Sequence, residues 1–171
     1  MNPATLCIAS DYVKAGIDKA GIPLTETLEA YLSITFAKFI NSVIHVDLLT
    51  VRATRAMDEN APSDIMRGLA DECLIACAFF QERLRRNGTI RHYVGLGQTT
   101  YDAADMIEQA YGFVHMRDVI AIAAERDEPQ DGRILLDQAK SGSQTARSEL
   151  ASQNVVVGPW GDGDKSGLLW R

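Results

Sequence analysis

A run of apolar residues between Thr25 and Met57 constrains the fold of this chain more than any other feature. Threonine is a favoured helix cap, and Glu26 and Glu29 lie near the positive end of a helix that starts after it. Apolar residues then recur every three or four positions, and a second apolar set widens this surface almost all round, as in a central bundle helix. Residues 58–62 end the pattern, which therefore predicts one long helix to about Met57. Its inner face comprises Leu28, Leu32, Phe36, Phe39, Val43 and Val46.

Three further segments show the same helical spacing. They are residues 4–19, 63–86 and 99–126. Asn87-Gly88 is expected to stop the second of these, and Thr99 or Thr100 is expected to cap the third. The stretch TIRHYVGLGQ between them is predicted to be a connection.

A weaker, polar helix is predicted over residues 133–152, with an interruption near Ser141-Gly142-Ser143. Val155 to Val157 is the one segment with strand character. The sequence therefore predicts an all-α fold, a bundle of four or five helices with an extended C-terminal tail. We expect a helical domain over residues 1–154 and a tail over 155–171.

Composition narrows the class of protein. The chain has 171 residues, 46% of them hydrophobic and 23% charged, which is typical of one globular domain. The net charge of −6 argues against a nucleic-acid partner. A membrane span needs about 20 apolar residues in a row, and no run in the sequence approaches that length. Three cysteines, with no signal-peptide pattern at the start, predict reduced thiols and a cytoplasmic location.

The tail holds both tryptophans of the chain, Trp160 and Trp170. Tryptophan buries a large area, so we expect the tail to dock on the bundle or on a neighbouring subunit; the alternative is an end that orders on a partner. Asp162-x-Asp164-x-Ser166-Gly167 matches the first half of a calcium loop. The bidentate carboxylate that completes such a loop is missing, so no metal site is predicted.

The stretch RHYVGLGQTT is the best candidate for a ligand site. Two glycines just before a predicted helix start permit unusual backbone angles, and free N–H groups there can hold a phosphate or carboxylate. A tight turn that leads into a helix cap explains the same residues. The candidate anion-binding residues are Arg91, His92, Gly95, Gly97, Thr99 and Thr100.

Two charged residues fall inside apolar helix faces. Asp47 projects into the apolar sector of the long second helix, and Arg117 into that of the fourth. A buried charge needs a partner, so we expect Asp47 and Arg117 to meet or to line an internal polar cavity. A structural pair is favoured over a catalytic one.

The third helix carries more apolar surface than one stripe requires. Leu74 lies on one flank, and Ile75 and Phe79 lie on the other. This surplus predicts a self-association surface or a surface covered by the tail, and hence a homo-oligomer, with a dimer expected. Cys73 and Cys77, one turn apart on the inner stripe, are interpreted as core residues.

One segment resembles a known family. Phe80-Gln81-Glu82-Arg83, followed by Tyr93-Val94, Gly97 and Tyr101, is similar to the pattern of a family of uncharacterised bacterial helical proteins. The resemblance covers about a fifth of the chain. It implies a helical fold and a bacterial, cytoplasmic origin, and it implies no activity.

Two functions remain open. The favoured one is a non-enzymatic interaction or regulatory protein that acts as a homo-oligomer, with a possible further protein partner. The alternative is an anion-binding protein or enzyme that uses the Gly95–Gly97 turn and the Asp47–Arg117 region. No nucleophile with a base, cofactor fingerprint or metal-ligand set is recognisable, so no cofactor and no catalytic residue are predicted.

Overall fold

The computed structural model describes residues 2–40, 42–124 and 132–157, with Val156 and residues 168–170 described by their backbone alone. Within these ranges the protein is all-α apart from two three-residue strands. The predicted four or five helices are too few, because the predicted segments are divided. The elements are α1 Pro3–Ala20, α2 Glu26–Phe39, α3 Leu49–Asp58, α4 Ser63–Phe79, α5 Gln81–Asn87, α6 Ile90–Ala103, α7 Ile107–Ala123, α8 Gly132–Lys140, α9 Gln144–Ser152, β1 Val155–Val157 and β2 Leu168–Trp170.

The prediction of one long central helix is wrong. Thr25 does cap α2, since its hydroxyl accepts the N–H of Leu28 at 3.2 Å. The helix nevertheless ends at Phe39, and a 3-10 turn at Val46–Leu48 precedes α3. At the break, the hydroxyl of Ser42 donates a 2.7 Å hydrogen bond to the carbonyl of Lys38. That bond competes with helix continuation, and the β-branched residues that follow are weak helix formers.

The predicted connection before residue 99 is also wrong, because TIRHYVGLGQ starts a helix. Thr89 is the actual cap of α6 and accepts the N–H of His92 at 3.1 Å. The carboxylate of Asp137 accepts the N–H of Ile90, also at 3.1 Å. Both hydrogen bonds satisfy N–H groups that a helix start leaves without an intrahelical partner. The break falls later, between α6 and α7, where Asp105 adopts a positive φ of 59°.

The main core lies around α4, which is surrounded by α2, α3, α6 and α7 and is buried over almost its entire second half. Cys73 and Cys77 are buried there as free thiols, and burial raises the pKa of Cys77 to about 12. At the crossing of α1 and α7, a Cβ on Gly16 would lie 2.3 Å from the carbonyl oxygen of Val119. Glycine is therefore what allows these two helices to approach so closely. None of the helices in the described ranges combines the length and apolar character needed to cross a membrane.

The last two helices, α8 and α9, share an apolar cluster of their own with β1. The predicted interruption at 141–143 is confirmed: α8 ends at Lys140, and the hydroxyl of Ser143 caps α9. The predicted strand is confirmed too, since β1 pairs antiparallel with β2 and Val155 lies opposite Trp170. Trp160 and the half calcium loop at 162–167 lie outside the described residues. The cluster comprises Leu135, Ala139, Ala146 and Leu150, with Val155 and Val157 against it.

Candidate functional site

An open cleft of about 480 Å3 lies between α3 and the outer face of α6, and we call it the α3–α6 cleft. Four residues predicted from the sequence line it, because positions 91, 92, 95 and 99 lie on one side of a helix. The structure thus brings these residues together through helical periodicity, whereas the prediction required a glycine turn. The lining residues are Met57, Thr89, Arg91, His92, Gly95, Leu96 and Thr99.

The remaining two candidate ligand residues face the core. A Cβ on Gly97 would lie 2.3 Å from the ring of Phe113, so this glycine serves helix packing. Thr100 is fully buried, and its hydroxyl donates a 2.7 Å hydrogen bond to the carbonyl of Leu96. Neither residue reaches the cleft, so Gly97 and Thr100 are not part of an anion site there.

The lining of the cleft is partly apolar and partly polar. Leu96 and Met57 supply apolar surface, while Arg91 and His92 are exposed along its edge. The ring nitrogen Nε2 of His92 lies 3.1 Å from the hydroxyl of Thr50, and this contact links α6 to α3. Arg91 also takes part in an interaction within the chain. A guanidinium, an imidazole and threonine hydroxyls beside apolar surface are the groups that bind a small organic anion.

The predicted pair of Asp47 and Arg117 does not form. Asp47 is exposed and accepts hydrogen bonds from Arg83 and, at 3.1 Å, from the side-chain amide of Asn87. The bonds from Arg83 hold the pKa of the Asp47 carboxyl below its usual value. The prediction projected Asp47 onto a continuous helix, and the break before the 3-10 turn turns it outward instead.

Arg117 is buried as predicted, with a different partner. Its Nε and Nη2 atoms lie 3.0 Å and 2.5 Å from Oδ1 of Asp118, its neighbour in sequence. Its Nη1 donates to the hydroxyl of Ser141 at 2.9 Å, just beyond the end of α8. Because both charges are about 1% to 3% exposed, the pair is a buried contact within α7, and the bond to Ser141 connects it to the turn after α8.

A second buried network was missed by the sequence reasoning. Asp71 is 2% exposed, and its Oδ1 accepts hydrogen bonds from the hydroxyls of Tyr31 at 2.6 Å and Tyr101 at 2.7 Å. Nε of Arg67 lies 4.0 Å from Oδ2 of Asp71, and its guanidinium carbon lies 5.1 Å from the centre of the Tyr31 ring. The network therefore ties α2 and α6 to α4.

The titration properties of this network suit a structural role. Burial raises the pKa of Asp71 above its ordinary value, although both tyrosines stabilise the carboxylate. Burial and the neighbouring Asp71 carboxylate raise the pKa of Tyr31 to about 12, so it remains a donor. The sequence did contain a signal that Asp71 is buried. Asp71 lies three residues before Leu74 and seven before Ala78, which is the spacing of one helix face, and both of those residues are buried.

The residues predicted for a subunit interface are placed differently from the expectation. Leu74 and Ile75 are buried in the chain's own core, and Phe79 packs with its ring centre 5.9 Å from that of Phe36. These three apolar side chains of α4 therefore pack within the chain itself. Trp160 and the side chain of Trp170 lie outside the described residues.

Metal ligands do not cluster in the part of the chain that the structure describes. The residues there contain no group of three or more His, Cys, Asp or Glu side chains that is placed to hold a metal ion.

No family model matches the chain, and comparisons with curated proteins and with solved structures likewise give no match. The geometry of the clefts and of the exposed surfaces is therefore what bears on function.

Proposed function

We propose that the protein binds a small organic anion in the α3–α6 cleft. The observation that carries this proposal is the convergence of Arg91, His92 and Thr99 beside the apolar surface of Leu96 and Met57. Arg91 supplies a permanent positive charge, and the imidazole and hydroxyl groups supply shorter-range polar contacts. The apolar surface favours a ligand with an aliphatic or aromatic part.

Gly95 provides a direct way to test this proposal. A Cβ at this position meets no atom within 4 Å, so a larger side chain extends into the cleft without disturbing the core. Gly68 in α4 likewise has open space where a Cβ would lie, and it is outside the cleft. Gly95→Leu is therefore the blocking variant, and Gly68→Leu is its matched control.

The experiment is a titration with a panel of aliphatic and aromatic carboxylates, followed by the NMR amide signals of Gly95 and Thr99 in the wild type and of Thr99 in the two variants. We expect saturable shifts of these signals, and an affinity reduced by about tenfold or more in Gly95→Leu but unchanged in Gly68→Leu. Equal binding by the two variants, or the absence of any saturable shift, would contradict the proposal.

A second candidate function is a homo-oligomeric interaction protein, and a different surface supports it. The exposed fractions of Val43, Leu48 and Val51 are 81%, 55% and 65%. Leu48 and Val51 lie on the outer side at the start of α3, opposite the buried Leu49 and Ala53. Exposed apolar residues in one short stretch are typical of protein contacts.

Light scattering on the full chain tests this second function. In a dimer that uses this surface, Leu48→Lys and Val51→Lys are expected to yield monomers. Ile65→Lys, a matched change at an exposed apolar position on α4, is expected to leave the dimer intact. A monomeric wild-type chain would eliminate the homo-oligomer.

We also propose a reducing, cytoplasmic setting in a bacterium. The three cysteines are free thiols, and two of them are buried. The resemblance of residues 80–101 to a bacterial helical family supports the bacterial part.

A further inference from the structure

A second cleft, of about 380 Å3, lies where the start of α6 meets α8. We call it the α6–α8 cleft. It joins residues that are about fifty positions apart in the chain, so only the packing of α8 against the bundle creates it. Its lining residues are Arg85, Gly88, Thr89, Arg133, Leu136, Asp137 and Lys140.

The α6–α8 cleft is positively charged, whereas the chain as a whole is negatively charged. Arg85, Arg133 and Lys140 contribute three positive charges, whereas the chain as a whole carries a net charge of −6. Each of these three residues also takes part in an interaction within the chain. The positive potential of the cleft comes from the convergence of these three residues and does not require an unpaired cation.

The acidic residue of the cleft is already engaged. Oδ2 of Asp137 accepts the N–H of Ile90 at 3.1 Å, at the start of α6. This bond consumes part of the hydrogen-bonding capacity of the carboxylate, and the positive end of α6 adds to the potential of the three cations. Two arginines and a lysine exceed what a single carboxylate ligand requires, and they match the double charge and the several acceptor oxygens of a phosphate.

The two clefts are neighbours because Thr89 lines both of them. We infer that the α6–α8 cleft binds the phosphate group of an organic phosphate whose organic part occupies the α3–α6 cleft. This inference rests on the proposed function, which it deepens by naming the class of ligand. In such a complex, Arg133 and Lys140 bind the phosphate. Leu96 and Met57 contact the organic part, and Arg91 and His92 bind its polar groups at the edge of the same cleft.

The test uses phenyl phosphate, inorganic phosphate and benzoate as probes of the full-length protein. The amide signals of Gly88 and Thr89 report on the α6–α8 cleft, and those of Gly95 and Thr99 report on the α3–α6 cleft. We expect phenyl phosphate to shift both pairs of signals and to bind about tenfold more tightly than inorganic phosphate, because its ring adds apolar contact in the α3–α6 cleft.

Charge variants then assign the phosphate site. Arg133→Gln and Lys140→Gln are each expected to weaken phenyl phosphate binding by about tenfold, since each removes a charge-assisted contact. Lys14→Gln on α1 removes an exposed cation outside both clefts and is expected to change the affinity by less than about twofold. Circular dichroism confirms that each variant is folded before titration.

Two results would overturn the inference. One is that Gly88 and Thr89 do not shift with either phosphate; the other is that Lys14→Gln weakens binding as much as Arg133→Gln, which indicates non-specific attraction. If benzoate still shifts Gly95 and Thr99 in that case, the proposed function stands without the phosphate site. If phosphate binds but Gly95→Leu affects neither benzoate nor phenyl phosphate, the proposed function fails, and with it the placement of the organic part in the α3–α6 cleft.

Discussion

Tyr101 donates a hydrogen bond of 2.7 Å to the buried carboxylate of Asp71, and Tyr31 donates a second one to the same oxygen. One acceptor atom thus connects three helices, α2, α4 and α6, on the inner side of the bundle. The candidate ligand residues of α6 lie on the opposite side of that helix. The network therefore holds α6 in position through its inner face, while the outer face of α6 remains open to solvent.

Replacing Asp71 by Leu is expected to destabilise the fold strongly. The change leaves the hydroxyls of Tyr31 and Tyr101 without their acceptor, and each buried orphan costs about 1–3 kcal/mol. Urea denaturation measures this as a loss in the free energy of unfolding. The single changes Tyr31→Phe and Tyr101→Phe are the comparison, with an expected cost of about 1–3 kcal/mol each. An Asp71→Leu variant as stable as the wild type would show that the network contributes nothing.

The raised pKa of Asp71 predicts an unusual pH dependence. Its folded pKa lies above its unfolded value, so its stabilising contribution is fully present below the unfolded pKa and is lost as the pH rises through the folded pKa. Asp71→Asn keeps an acceptor and does not titrate. The stability of the wild type relative to Asp71→Asn is therefore expected to improve as the pH is lowered from 7 toward 4. Urea denaturation of both proteins at several pH values measures the difference, and a change of the opposite sign would contradict the assignment.

The two glycines of α6 should respond in opposite ways to alanine. In Gly97→Ala the new methyl group would lie 2.3 Å from the Phe113 ring, and such overpacking costs about 1–3 kcal/mol. In Gly95→Ala it meets no atom within 4 Å, and alanine is favoured over glycine in a helix by about 1 kcal/mol. Thermal denaturation of the two variants provides the comparison. Equal melting temperatures would mean that α6 does not approach Phe113 so closely.

The buried pair of Arg117 and Asp118 should be far more sensitive to losing one charge than to losing both. Arg117→Met leaves the Asp118 carboxylate buried without its partner, which costs about 3–5 kcal/mol. The double variant Arg117→Met/Asp118→Leu removes the uncompensated charge and is expected to recover most of that loss. Chemical denaturation of the two single variants and the double variant measures the coupling. Additive effects of the two single changes would contradict a direct pair.

The sequence predicted individual helices well where a local signal marked their ends. Thr25 marked the start of α2, and Gly142 marked the turn before α9. Such signals involve residues within one helical turn, so they need no knowledge of the rest of the chain. The same reasoning failed at the end of α2 and at Gly95–Gly97. There, helix formation depended on small differences in propensity and on packing against Phe113.

The candidate site illustrates the same division. Arg91, His92, Gly95 and Thr99 were identified from residue types alone, and their shared face follows from the helical period. Met57 could not be assigned to the cleft in advance, because its position depends on how α3 packs against α6. Asp47 and Arg117 were paired incorrectly because periodicity gives a direction around one helix axis and no distance between helices.

The sequence alone therefore determined the helical class, the starts of α1, α2 and α4 and the residues that face one side of a helix, because these properties depend on hydrogen bonds and spacing within a few residues. Only the tertiary structure decided where the long segments break, which acceptor binds Tyr31 and Tyr101, and that Arg133 and Lys140 come to lie beside Thr89. Those outcomes depend on packing between segments that are distant in the chain, where many small contact energies add up before one arrangement is favoured.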